Sequence, residues 1–233
     1  MNGFSAILTV SLLAAGCFGF NGTYQPAPST LPARKLVWAD EFDKNGLPDS
    51  PTWGYEVGGN GWGNNEQQYY TSRRLENARV ENGKLIIEAR KESYQGKEYT
   101  SARLLTRGKA SWKQGRIEAY AKLPAGRGTW PAIWMLGDNI KTAGWPLSGE
   151  IDIMEHVGFD EGVIHGTIHT EAYNHARKTQ KGKQIRIPDA TQTYHLYAVE
   201  WTADKIDFYV DNQKYNTVEK AVLGSNVAEW PFE

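Results

Sequence analysis

The sequence predicts an all-β fold, a jelly-roll sandwich of two antiparallel sheets, and three observations carry that expectation. Short segments alternate apolar and polar residues with a period of two, Gly, Pro and Asn punctuate them, and no window longer than ten residues keeps a 3.6-residue apolar period. Composition agrees, with nine Trp, twelve Tyr and 24 Gly in 233 residues, where helical domains draw instead on long Leu/Ala/Glu/Lys tracts. The length suits one domain with a substantial core.

Taken in order, the expected strands begin at 35–42, then run 78–81, turn at Asn82-Gly83 and return over 84–90. Residues 115–123 follow, with Ile117, Ala119, Ala121 and Leu123 alternating against polar neighbours. Four more are expected at 150–156, 163–170, 194–202 and 205–211. The last residues, Trp230-Pro231-Phe232-Glu233, read as the entry to another strand, so the sandwich is expected to lack its C-terminal strands.

Ahead of this domain, residues 7–15 are nearly all apolar, too few to span a bilayer, and lead into the Pro/Ser/Thr-rich stretch 25–32. The expected organisation is an export signal over 1–17, a linker over 18–34 and the folded domain over 35–233. The one cysteine, Cys17, follows Leu13-Ala14-Ala15-Gly16, a box similar to that of bacterial lipoproteins. A lipid anchor at Cys17 and plain secretion stay open as alternatives, and either places the protein outside the cytoplasm or on the cell envelope. A single cysteine excludes an intrachain disulfide, and Asn21-Gly22-Thr23 fits a glycosylation sequon.

The formal net charge is -1, which argues against a nucleic acid or an anionic membrane surface as partner. An uncharged substrate suits it better, and the many Trp and Tyr rings offer flat faces on which a sugar can stack. The chain is expected to be a monomer without a membrane span.

Chemistry concentrates in Gly149-Glu150-Ile151-Asp152-Ile153-Met154-Glu155-His156. Burying three carboxylates in an otherwise apolar strand costs several kcal/mol unless they are paired, protonated or face a wet cleft. In a regular strand Glu150 and Asp152 share one face and Glu155 takes the other. One bulge at Ile153-Met154 returns Glu155 to the first face. Four strand steps then separate the glutamate Cα atoms by roughly 13 Å, and side chains leaning together leave the carboxyls about 5 Å apart. Retaining glycosidases hold theirs at about 5–5.5 Å, one as nucleophile and one as acid and then base. From residue types alone, an acid-decorated outer face or a cation site is an equal alternative.

This segment, with Trp130-Pro131-Ala132-Ile133-Trp134-Met135 before it and His165-Gly166-Thr167-Ile168-His169 after it, resembles the family-16 glycoside hydrolases. Within them it is most similar to the laminarinase-like endo-β-1,3-glucanases, and the similarity runs from about Leu36 to Phe232. The resemblance implies a concave substrate cleft, Glu150 as nucleophile, Asp152 as its assistant and Glu155 as acid/base. Its glucan cleft would be lined by the loop from Gly58 to Tyr70 and by Asn60, Arg107, Trp130, Trp134, Trp145 and His169, with Trp130 and Trp145 as sugar platforms and Trp134 more a core residue. It implies no required cofactor. A structural calcium would sit on the convex face at Glu41 and the Gly83 carbonyl, its last ligand lying beyond Glu233. A non-catalytic glucan-binding module of the same fold, or a hydrolase of another β-glucan or galactan, remain the alternatives, and the intact Glu150, Asp152 and Glu155 argue against the first.

Overall fold

The computed structural model describes residues 34–233 and, by its backbone alone, the strand Phe4–Thr9. Cys17, the sequon at Asn21 and nearly all of the expected linker lie outside the described residues. In chain order the strands are β1 (Phe4–Thr9), β2 (Gly54–Glu56), β3 (Gln68–Tyr70), β4 (Ala78–Val80) and β5 (Leu85–Ile87). Next come β6 (Arg90–Tyr94), β7 (Lys97–Ser101), β8 (Arg103–Leu105), β9 (Gly115–Ala121), β10 (Ala132–Gly137) and β11 (Glu150–His156). The last are β12 (Val163–His169), β13 (Lys181–Arg186), β14 (His195–Trp201), β15 (Lys205–Val210) and β16 (Gln213–Glu219).

A seven-stranded sheet runs β13-β12-β11-β10-β1-β8-β2 and a four-stranded sheet runs β16-β15-β14-β9, all of their pairs antiparallel. A three-stranded sheet, β3-β7-β6, and the hairpin β4-β5 complete the described ladders. The two large sheets share one core: Met135, Ile151, Ile153, Met154, Ile164 and Ile168 from the first pack with Tyr197, Val199, Trp201, Ile206 and Phe208 from the second. Alternation therefore sends every second residue of β10 to β12 inward and leaves the intervening side chains on the opposite, partly exposed face.

The long alternating strands fall where the sequence places them, β11 over the full expected span and β12, β14 and β15 within a residue or two. Residues 35–42 form no strand. Trp38 instead packs edge-on against Trp53 at 5.8 Å and Trp112 at 5.5 Å. The Asp40 carboxylate accepts from the Phe42 amide and from Trp53 Nε1, so an Asp-anchored turn and ring packing hold the segment in place of a ladder. Trp230 and Phe232 also enter the core without joining a ladder: they are 2% and 0% exposed, edge to face at 5.1 Å, and Trp230 Nε1 donates to the Ala203 carbonyl. Among the described residues no helix is long and apolar enough to cross a membrane.

Candidate active site

The bulge expected from the spacing of the acids is present. Against β12, Asp152 pairs with Thr167 and Glu155 with His165, so three steps on β11 match two on its neighbour. Against β10, Met154 faces Ile133 and Asp152 faces Trp134, which leaves Ile153 as the extra residue. Ile153 and Met154 are both buried, 1% and 0% exposed. Their burial in the core fixes the bulge, because moving either outward would expose a large apolar side chain. Glu150 and Glu155 are consequently both partly exposed on the face where Asp152 lies deepest, at 2%.

Each glutamate has an indole donor. Trp130, on the loop before β10, donates from Nε1 to Glu155 Oε1 at 2.9 Å. Trp145, on the loop between β10 and β11, donates from Nε1 to Glu150 Oε2 at 2.5 Å. The two residues are 46% and 38% exposed, which makes both the hydrogen-bond donors of the site and its exposed aromatic side chains. The loop carrying Trp130 is held by hydrogen bonds from Gly158 N to Thr129 O and from His156 N to Pro131 O. A Cβ on Gly158 would meet the Gly126 carbonyl at 1.8 Å, so only glycine permits that approach.

His169, opposite Glu150 on β12, is buried and places Nε2 3.3 Å from Asp152 Oδ2. One donor atom each from Glu150, Asp152 and His169 lies within 4.8 Å of the others. The linear spacing of the histidines gives no metal pattern, and this convergence arises only across the β11-β12 ladder; it could hold a cation or a shared proton. Burial, and then the Asp152 charge, push Glu150 well above the usual carboxylate range, with the Trp145 N–H and His169 opposing. Burial and the Glu155 charge push Asp152 well up as well, and burial followed by the Glu150 charge raises Glu155. Glu150 and Asp152 share a hydrogen bond, so this pair holds one proton between them. The Trp145 donor favours charge on Glu150, while the hydrogen bond between the two acids raises Glu150 and lowers Asp152, so the proton is shared across the pair.

Trp134 stands opposite Asp152 on the cleft face, correcting its expected place in the core. Its alternation with buried Ile133 and Met135 would have revealed this. Arg103 lies between the Trp134 ring at 4.5 Å and the Trp62 ring at 4.7 Å, and its Nε pairs with Glu56 at 2.8 Å. Arg107 pairs with the other Glu56 oxygen at 2.9 Å. The Gly-rich loop is thereby pinned at Trp62 beside the cleft, and Gly58, at φ 133°, supplies a backbone conformation that side chains resist. Arg103 and Glu56 did not stand out in the sequence, and Trp62 did so only as part of the Gly58 to Tyr70 loop, because a stack of side chains from three separate segments leaves no linear motif. Asn60 is exposed and its side chain accepts from the Trp62 amide at 3.0 Å, shaping the loop.

Glu41 and Gly83 are both exposed, and Glu41 joins no described cluster of three His, Cys, Asp or Glu donors. Together they offer two of the roughly six to eight oxygens calcium takes, so these two residues alone do not make a calcium site.

The chain is similar to proteins already known. The model of the glycosyl hydrolases family 16 matches residues 65–232. A beta-glucanase of Rhodothermus marinus is 58% identical over 207 residues, covering 87% of this chain and 72% of that protein. A glucan endo-1,3-beta-glucosidase of Cryptopygus antarcticus is 42% identical over 188 residues, 78% of this chain and 68% of its own length. The X-ray structure of the laminarinase from Rhodothermus marinus superposes with a TM-score of 0.82 at 58% identity, covering 84% of this chain and 80% of that one.

Proposed function

The chain belongs to the glycosyl hydrolases family 16, and on that premise we propose that it is a retaining endo-β-1,3-glucanase acting on laminarin-type glucans. The observation that carries this is the bulge at Ile153–Met154, which sets Glu150, Asp152 and Glu155 on one face, each glutamate hydrogen-bonded to its own exposed indole. Relatives that act on β-1,3-glucan by name support the linkage.

Glu150 attacks the anomeric carbon as the glycosidic C–O bond breaks, and the departing oxygen takes the Glu155 proton. The Glu155 carboxylate then removes a proton from water, whose oxygen displaces Glu150 and leaves the sugar with its original configuration. Asp152 shares a proton with Glu150 and orients that carboxylate. The Trp130 and Trp145 faces carry sugar rings on either side of the scissile bond. An exported monomeric enzyme, with or without a lipid anchor at Cys17, would meet its polymer outside the cytoplasm.

Proton NMR of laminarin digestion is the test: the β-anomer of the new reducing end is expected first and the α-anomer later, by mutarotation. An initial α-anomer, or no cleavage at all, would sink the proposal.

The pH profile of kcat/KM is expected to be a bell with both limbs displaced upward. Glu150 must be ionised and Glu155 protonated, and both are raised; the limbs report the cluster rather than single residues. An acid limb at the ordinary glutamate value of about 4.3 would contradict the buried, mutually repelling acids.

A further inference from the structure

Trp145 is 38% exposed, so core packing alone does not fix its indole, yet the indole N–H must meet one oxygen of Glu150. What lies on its face is His175. The two rings stack with centroids 4.7 Å apart and planes 29° from parallel, while His169 meets His175 edge-on at 5.2 Å. We infer that His175 is a positioning residue for this reaction: its imidazole, stacked on one face of the Trp145 indole, holds the indole N–H on the Glu150 carboxylate and leaves the other face for sugar. The inference rests on the glucanase reading and deepens it.

A stack positions a partner only if it is itself fixed, and the loop after β12 is built for that. His175 opens a single 3-10 turn, His175–Arg177, capped by the Asn174 side chain, which accepts from Arg177 N at 3.2 Å. Asn174 is 2% exposed and donates from Nδ2 to the Thr170 carbonyl at 3.0 Å and the Glu171 carbonyl at 3.1 Å. Tyr173 Oη donates to the Leu223 carbonyl at 2.7 Å and Ala172 N to the Ala228 carbonyl at 2.8 Å. These hydrogen bonds tie the turn to its own strand end and to the C-terminal segment, none through the substrate. His175 itself lies at the surface, and the partial desolvation of its ring, together with neighbouring His169, pushes its pKa down, so it stacks as a flat uncharged ring.

Besides the Trp145 donor, the groups facing Glu150 are Asp152 and Glu155 on its own strand and His169 on β12. Releasing Trp145 removes a donor that favours the ionised nucleophile. Full-length His175→Ala and His175→Phe variants separate the stack from the imidazole's chemistry. For His175→Ala the acid limb of kcat/KM is expected to move upward and kcat on laminarin to fall about tenfold, the size of one hydrogen bond to a charged group. His175→Phe, which keeps a flat ring, is expected to restore both. Adding His175→Ala to Trp145→Phe should cost nothing further, since the two act in series.

The Trp145 indole signal in 15N-correlated NMR, assigned from its loss in Trp145→Phe, gives a readout without substrate. It is expected to shift in His175→Ala and to stay near the wild-type position in His175→Phe. An unmoved signal and acid limb in His175→Ala overturn the inference, and so does a phenylalanine variant that behaves like the alanine one. Failure of the wild type to cleave laminarin overturns the glucanase reading instead, and the indole signal still decides the role of His175.

Discussion

Glu150→Gln is expected to lower kcat on laminarin by about 10⁴-fold or more while the protein still binds the glucan. Removing a covalent nucleophile takes away a whole step of the reaction rather than one hydrogen bond. The amide keeps the shape of the carboxylate, so laminarin affinity by titration calorimetry should stay within about threefold, under one kcal/mol. Residual hydrolysis above about one part in a hundred would move the nucleophile elsewhere.

Stability should respond in the opposite direction. Glu150 keeps its proton to higher pH in the folded chain than in the unfolded one. From about pH 4.3 up to its raised folded value, the native state therefore binds more protons than the unfolded state, and stability falls as pH rises. Glutamine removes that loss. Thermal unfolding at pH 7 should occur at a higher temperature in the variant than in the wild type, and at pH 3, where the carboxyl is protonated in both states, at the same temperature. An active site that destabilises its own fold in this way is the usual exchange of stability for function.

Phe208→Ala is the second large effect, expected to destabilise the fold by about 3–5 kcal/mol out of a typical total of about 5–15. Phe208 is fully buried and lies directly beneath β12: a Cβ on Gly166 would come within 2.7 Å of its Cδ1 and within 2.2 Å of Tyr215 Oη. Gly166 stands between His165 and Thr167, the β12 partners of Glu155 and Asp152. Truncating the ring takes the floor from under the strand that aligns the acids, so activity at 25 °C should fall along with the urea midpoint. A midpoint loss worth less than about 1 kcal/mol would mean that the site collapses without leaving a cavity.

How far the sequence discloses this molecule depends on whether the information is local. β11, β12, β14 and β15 bury one whole face, and their period of two is visible without any structure. The bulge was legible for the same reason, since three acids in an apolar strand at steps of two and three admit few solutions. β2, β3 and β8 have three residues each, too few to display a period. Residues 35–42 carry the short apolar run Leu36 to Ala39, yet ring packing around Trp38 outweighs the ladder that run suggests. At the site, the carboxylates were readable because burying charge is expensive wherever it occurs. The Arg103 stack and the His175 contact join residues distant in sequence, and only folding brings them together.

The extra residue in β11 also sets a parity rule for length changes in this strand. Glu150, Asp152 and Glu155 stand at steps of two and three, and one buried position absorbs the odd step. Deleting Met154 would leave steps of two and two, which a regular strand accommodates with all three acids on the same face. Inserting a residue beside it would leave steps of two and four, which a regular strand also puts on one face, but with the two glutamates six strand steps apart instead of four, roughly 20 Å between Cα atoms. The strand can be shortened by one and keep its acids within reach of one glycosidic bond, whereas lengthening it by one keeps their face and loses their spacing.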